Sequence, residues 1–245
     1  MKILVIGDSC IDTFRYGKVK RIAPEAPVPI IVPFKEESNP GMAGNVVANL
    51  KALNTEVNFI TNLDSIKKIR YVCSRYNQLV LRVDENDSSN RITENRLTNL
   101  NWDSYNAIII SDYCKGFLNK EDIRYISQKH PLTFLDTKKE LGEWAHNISY
   151  IKINNNEYEN NLSILNNDSV LLNKTIITKG PYGCEYQSKI YPTKEVPVKD
   201  VSGAGDTFLA GLVSKYVKTK NIKKAIDFAQ KCTTIVVQKP GVSTI

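Results

Sequence analysis

The chain has 245 residues, enough for one large α/β domain or one domain with a small appendage. Its 33 Lys and Arg outweigh 26 Asp and Glu, giving +7; the bases are scattered and not interleaved with aromatics, which suits anionic small molecules and argues against a nucleic-acid surface. No stretch is long and apolar enough for a membrane span or a signal peptide, and five dispersed cysteines with only two histidines argue for free thiols in a cytoplasmic protein rather than a zinc site.

Residues 2–7 read as a buried strand, continuous, β-branched and stopped by Gly7-Asp8. Asp12 follows at the strand's C-terminal end, where open α/β sheets collect ligands; it is a substrate-hydroxyl ligand or a solvated turn carboxylate. Four prolines between Arg21 and Pro33 exclude a helix and leave an edge strand or an extended flap. Pro40 to Asn45 is a small-residue turn feeding a helix that runs to Leu53. There Gly41 would let a sugar lie against the backbone and Asn45 could bind its hydroxyls. A strand is expected at 57–60 and a hairpin at 67–84, turning at Ser74–Asn77. The hairpin alternates polar and apolar residues, so one face should be solvated or paired with a partner.

After a polar connector at 85–90, strands at 107–111, 133–136, 150–153 and 174–178 alternate with helices near 91–100, 120–129, 139–145 and 156–171. That alternation implies right-handed parallel βαβ units. Asp112, Asp136 and Asn154 each stand just past a strand, so one rim of the sheet collects polar groups, although each also suits an ordinary cap or turn. Thr178 to Gly183 is a Gly/Pro turn into a hairpin at 184–193.

Asp200-Val201-Ser202-Gly203-Ala204-Gly205-Asp206-Thr207 then opens into a helix with apolar residues at 208, 209, 212, 213, 216 and 217. Free N–H groups and the helix dipole make such an end attractive to anions, and Gly203 and Gly205 keep side chains out of a ligand's way. Asp206 sets a carboxylate beside that anion site, a pairing suited to phosphoryl transfer to a hydroxyl. A last helix over 222–238 breaks at Lys239-Pro240-Gly241. There is no Gly-x-x-x-x-Gly-Lys-Ser/Thr loop, and Phe208 stands where a dinucleotide fingerprint needs glycine.

Several stretches together resemble the PfkB (ribokinase-like) sugar kinases, and among them the kinase domain of the heptose-phosphate enzymes of lipopolysaccharide-precursor synthesis. They are Gly7-Asp8 with Asp12, Arg21 through Pro29, Pro40-Gly41 with Asn45, Gln78-Leu79 with Arg82, and Ser111-Asp112-Tyr113 with Lys115-Gly116. Asp136 with Lys138, Asn154 with Glu157, Asp200 through Thr207, and Gly241 with Ser243-Thr244 complete the set, in family order over nearly the whole chain.

The resemblance implies an ATP-dependent kinase: an α/β, Rossmann-type three-layer sandwich with a mainly parallel central sheet, forming one domain over 1–245, with a small β lid from about 13–35 and 67–84. It implies that Asp206 is the base and that backbone N–H groups of Gly203, Ala204 and Gly205 stabilise the transferring phosphoryl group. Asp12, Gly41 and Asn45 match sugar-binding positions. Arg21, Lys115 and Lys138 match positions particular to the heptose-phosphate group, and a phosphorylated sugar needs cations. Asn154 and Glu157 match a motif that acts near Mg²⁺ and the nucleotide phosphates, Glu157 touching the metal indirectly. Thr178, Lys179, Gly180 and Gly183 match the nucleotide-side turn. ATP and Mg²⁺ are the implied cofactors, a monovalent cation stays open, and relatives often pair lids as homodimers.

The chain also departs from the pattern. Met42 replaces the second glycine of a Gly-Gly turn, which would reshape the sugar pocket. Only Thr61–Ile66 stand where relatives have a long stretch, so a substrate-side wall or part of the lid's support is expected to be missing. The chain stops where relatives add a C-terminal helix, and no nucleotidyltransferase domain follows, which argues against the bifunctional form. The sequence therefore predicts a heptose 7-phosphate kinase, with a kinase for another sugar or nucleoside, or a silent binding subunit, as alternatives.

Overall fold

The computed structural model describes residues 1–245. Its main sheet has eight strands in the order β12-β11-β10-β9-β8-β7-β1-β4. Six are parallel: β4 (Glu56–Thr61), β1 (Lys2–Gly7), β7 (Ala107–Asp112), β8 (Thr133–Thr137), β9 (Tyr150–Asn154) and β10 (Thr175–Thr178). The hairpin β11 (Cys184–Tyr186) and β12 (Lys189–Tyr191) closes one edge antiparallel. Gln187 and Ser188 both have positive φ (49° and 58°), the backbone of a type I′ turn.

Continuous apolar runs make these strands because both sheet faces are covered. Ile3, Val5, Ile109 and Phe134 enter one core with helices α1 (Ala43–Ala52), α7 (Ala204–Thr219) and α8 (Ile222–Val236). Leu4, Ile6, Ile110 and Leu135 enter a second core of equal size. There they meet α2 (Glu94–Thr98), α3 (Lys120–Lys129) and three short helices, α4 (Asn155–Asn160), α5 (Leu162–Asn167) and α6 (Ser169–Leu172). The result is the three-layer α/β sandwich that was expected.

Three helix expectations shorten. Residues 139–145 hold only a 3₁₀ turn, Glu143–Ala145, and the helix near 91–100 covers Glu94–Thr98. The stretch 156–171 breaks into α4, α5 and α6, because Asn161 and Asp168 turn their side chains onto backbone: Asn161 takes the Leu141 amide (2.7 Å) and Asp168 caps α6.

A second sheet, β3-β2-β5-β6, stands off the C-terminal rim. It is larger than expected: β2 (Ser9–Ile22) and β3 (Pro29–Met42) run on through residues 9–12 and 36–42, joined by β5 (Lys67–Cys73) and β6 (Gln78–Glu85). β2 and β5 are parallel and the outer pairs antiparallel. Pro24 and Pro27 lie in the bend between β2 and β3, and Pro29 and Pro33 lie on β3, an edge strand that tolerates proline. The contraction after β4 leaves no gap. Asn62 accepts the Ser9 amide (2.7 Å) and donates to Asp64 O (2.7 Å), so one side chain ties the short link to the root of β2.

The strand end carrying the polar rim requires close backbone approach. A Cβ on Gly7 would lie 1.9 Å from the carbonyl oxygen of Ser111, with no flexible atom to yield. Gly7→Ala should therefore part β1 from β7 and cost about 3 kcal/mol, read as a lowered urea midpoint at unchanged slope.

Candidate active site

The helix start at α7 is built as an anion site. Gly203 is its N-cap at φ 77°, and no side chain caps it. Ala204 N–H is taken by Val201 O (3.1 Å), so the free donors of this end are the amides on either side of Ala204 rather than Ala204 itself. Both glycines are crowded. A Cβ on Gly203 would meet Asn45 Nδ2 at 2.4 Å, and one on Gly205 would meet Lys152 Nζ at 2.9 Å.

Asp206 lies in the first turn of α7 and is only 4% exposed. Asn45 of α1 donates to Oδ2 (3.0 Å) and the Tyr113 hydroxyl donates to Oδ1 (2.6 Å). Burial pushes the carboxyl up to about 6; the Tyr113 and Asn45 hydrogen bonds oppose it, the Asp136 charge adds to it, and the Lys152 charge opposes it. The group is thus ionised at neutral pH yet basic enough to take a proton, the condition for a general base.

Two cavities meet at this point. One, of about 280 Å³, lies under the second sheet and is lined by Asp12, Met42, Asp206 and five basic side chains: Lys68, Arg70, Arg82, Lys115 and Lys138. Arg70 pairs with Asp12. Asp84 draws in both Arg82 (2.5 Å) and Lys68 (3.0 Å), and Asp87 holds Lys115 (2.5 Å). The Asp84 carboxyl is held well below the usual range, first by its Arg82 hydrogen bond. Gly41 faces Asp12, whose Oδ2 would lie 2.2 Å from a Cβ there. Met42 occupies a glycine-like backbone, φ 55° and ψ −132°, and its buried side chain packs with Cys10, Ile66 and Tyr113. Such a conformation costs on the order of 1–3 kcal/mol, offset here by the buried thioether.

The other cavity, of about 540 Å³, runs past Gly203 and Gly205 to Asn154, Glu157, Thr178 and Gly180. Asn154 and Glu157 form a reciprocal capping box on α4 (2.9 and 2.8 Å). Lys138 donates to the other Glu157 oxygen (2.8 Å). No group of three or more acidic, His or Cys side chains is gathered for a metal. Two carboxylates stand at this cavity's wall, Asp136 paired with Lys152 (2.7 Å) and Glu157 paired with Lys138 (2.8 Å). So sparse a carboxylate set would suit Mg²⁺ that keeps most of its waters, with Glu157 as the residue that would hold it at one remove.

Most expected residues converge. Asp12, Lys115 and Asp206 line the first cavity, Asn154, Glu157, Thr178, Gly180 and Gly205 the second, and Lys138 and Gly203 line both. Gly183 lines an adjoining apolar recess with Ala204 and Phe208. Asn45 is turned onto Asp206 and Gly203 O rather than into open space.

Two residues fall elsewhere. Arg21 sits exposed near the far end of β2, paired with Ile30, and does not line the Asp206 cavity. Lys179 turns aside to Glu185 (2.5 Å). The hairpin expected to present one solvated face does so with Leu79 and Leu81, while Lys68, Arg70 and Arg82 line the cavity. Sequence reasoning also missed Lys152, 6% exposed on β9 and bonded to Asp136 (2.7 Å). Burial lowers the affinity of Lys152 for its proton, but the Asp136 and Glu157 charges reverse that and hold it charged. A lysine inside the apolar run Tyr150–Ile153 was the available signal.

An anion-binding helix end with a buried carboxylate, set between two polar cavities, defines a phosphotransferase acting on small hydroxylated molecules. The chain belongs to the pfkB family of carbohydrate kinases, whose model matches residues 105–245. It is 32% identical to a Nitratiruptor protein described as bifunctional protein HldE, over 99% of the chain and 63% of that relative. A Helicobacter pylori protein of the same description is 30% identical over 98% of the chain and 63% of its own length. The chain thus spans less than two thirds of these relatives. The first alignment runs over 293 positions, more than the chain has residues, so the relative carries segments absent here. Among solved structures, a Thermotoga maritima ribokinase superposes with a TM-score of 0.71 at 15% identity, covering 98% of this chain and 94% of its own. An Arabidopsis thaliana ribokinase complexed with ribose and ATP gives 0.68 at 13%, covering 98% and 93%.

Because Asp206 is protonated to higher pH when folded than when unfolded, its protonated form adds stability below the ordinary carboxylate range. That stability is lost as pH rises from about 4 to about 6, and above that the cost of the buried charge is felt in full. Asp206→Asn should therefore be more stable than the parent above pH 6, by on the order of 1–2 kcal/mol, with the gap closing below about pH 4; denaturant titration at several pH values reads this.

Proposed function

We propose that the protein transfers the γ-phosphoryl group of ATP to the anomeric hydroxyl of D-glycero-D-manno-heptose 7-phosphate. The observation that carries this reading is the cavity in which Asp206 shares a wall with five basic side chains. A sugar bearing a phosphate would place its hydroxyl at Asp206 and its anionic end among Lys68, Arg82 and Lys115. Asp12 would accept from ring hydroxyls. In the second cavity Asn154, Glu157, Thr178 and Gly180 would hold ATP, with Mg²⁺ neutralising its phosphates. The Asp206 carboxylate takes the hydroxyl proton while the free amides at the start of α7 stabilise charge on the group in flight. Lys152, against Gly205, adds a buried positive charge on the nucleotide side.

The second sheet would act as a lid. Its exposed Val32, Phe34 and Leu81 and its two open edges suit pairing with a second copy, giving a homodimer that light scattering can weigh. No helix is long and apolar enough to cross a membrane, and we place the enzyme in the cytoplasm.

Asp206→Asn should lower kcat about a thousandfold while ATP affinity by calorimetry stays within about twofold. An unchanged rate would sink the mechanism. Met42 favours a second reading, a kinase for a different sugar, because it fills the space a glycine would leave. A panel of sugars and sugar phosphates assayed with ATP and Mg²⁺ separates the two. Under the heptose-phosphate reading, Lys68→Ala and Arg82→Ala raise KM for the phosphorylated sugar about tenfold or more and leave KM for ATP unchanged.

A further inference from the structure

The loop after β7 carries a residue that the reaction as described does not use. Tyr113 lines both cavities, together with Lys138 and Gly203. Its hydroxyl makes one hydrogen bond, to Asp206 Oδ1 at 2.6 Å. We propose that Tyr113 is the positioning residue for the base: its hydroxyl fixes the Asp206 carboxylate as a proton acceptor at the boundary between the sugar and nucleotide cavities. The proposal rests on the reading of Asp206 as base.

The chain spends considerable structure on placing this ring. Asp8, buried at the end of β1, accepts the backbone N–H groups of Tyr113 (2.7 Å), Lys115 (3.3 Å) and Phe117 (3.3 Å). The loop meets this by taking positive φ at Cys114 and Gly116. Asp112, on the other side, is held by Lys139 (2.7 Å) and Thr137 (2.5 Å). The ring is then clamped. Lys138 Nζ stands 5.1 Å above its centroid, and Met42, Cys10 and Ile66 pack against it. Met42, the residue that departs from the family's glycine, thus braces the tyrosine at the cost of a strained backbone.

A donor so placed has two effects on a buried carboxylate. It orients the oxygens, and it favours the ionised form over the neutral acid. Burial and the Asp206 charge raise the Tyr113 hydroxyl well above its usual range, so it remains a donor at every working pH. Around Asp206 the other facing groups are Asn45 from α1, Asp136 and Lys152 from β8 and β9, and Cys10 and Asp12 from β2. Arg70 and Arg82 of the second sheet, with Lys115 and Lys138, complete the surroundings. The Tyr113 hydroxyl bonds none of these, so removing it alters Asp206 directly.

The test is Tyr113→Phe, which keeps the ring, the Lys138 contact and the backbone bond to Asp8. The acid limb of kcat/KM, expected near pH 6 in the parent, should move up by about 0.5–1 pH unit, giving roughly a two- to fivefold loss at pH 6 that recovers almost fully by about pH 8. KM for ATP should not change. Installing 3,5-difluorotyrosine at position 113, a stronger donor, should move the limb the other way. A limb that stays in place in both variants overturns the proposal, as does an equal loss at all pH values. If the base assignment itself is wrong, the parent shows no limb near pH 6 and Asp206→Asn retains its rate, a result distinct from either.

Discussion

The structure depends on keeping one carboxylate, Asp206, out of water beside a helix end that attracts negative charge. Burial opposes its ionisation; two donors and the dipole of α7 favour it. Neither influence alone gives a useful base. A solvated aspartate is too weak an acceptor at neutral pH, and a buried one without donors would stay protonated. The balance is set by residues from three distant parts of the chain, Asn45, Tyr113 and Asp206, which meet because β7 ends and α1 and α7 begin at the same rim. The fold serves chemistry by making that convergence rigid.

Rigidity comes from backbone crowding as much as from side chains. Gly7 and Gly203 stand where no Cβ fits, and Gly211 lets α7 approach Ala229 of α8 to within contact, fixing the helix that carries Asp206. The two cores on either face hold the sheet, so that the rim moves as a unit. The second sheet is different. It grows from the rim through β2 and β3 and leaves apolar side chains in solvent.

Much of this was legible in the sequence because the signals are local. Apolar runs at 2–7, 107–111 and 150–153 could only be buried strands, and a glycine turn opening a helix at 203 announces an anion site. Prolines confined β3 to an edge. What stayed hidden was direction. Lys68, Arg70 and Arg82 alternate with apolar residues, and alternation cannot say which face looks at solvent; the register of β5 on β2 decides that. Arg21 was expected at the site from the family resemblance, but it stands next to last on the 14-residue β2, away from the rim. Lys152 and Tyr113 act through partners 16 and 93 residues away, Asp136 and Asp206, and no local pattern names such partners.

Lys138 is shared property. It lines both cavities, bonds Glu157 at the wall of the second and lies over Tyr113. Under the proposed function, an anion arriving in the first cavity would compete with Glu157 for that ammonium, and freeing Glu157 would change the charge presented to a nucleotide in the second. Binding free energies are linked through common groups, so the influence would run equally in both directions. A sugar phosphate and a nucleotide bound as proposed would then be coupled by a single lysine, the affinity for either depending on whether the other is present.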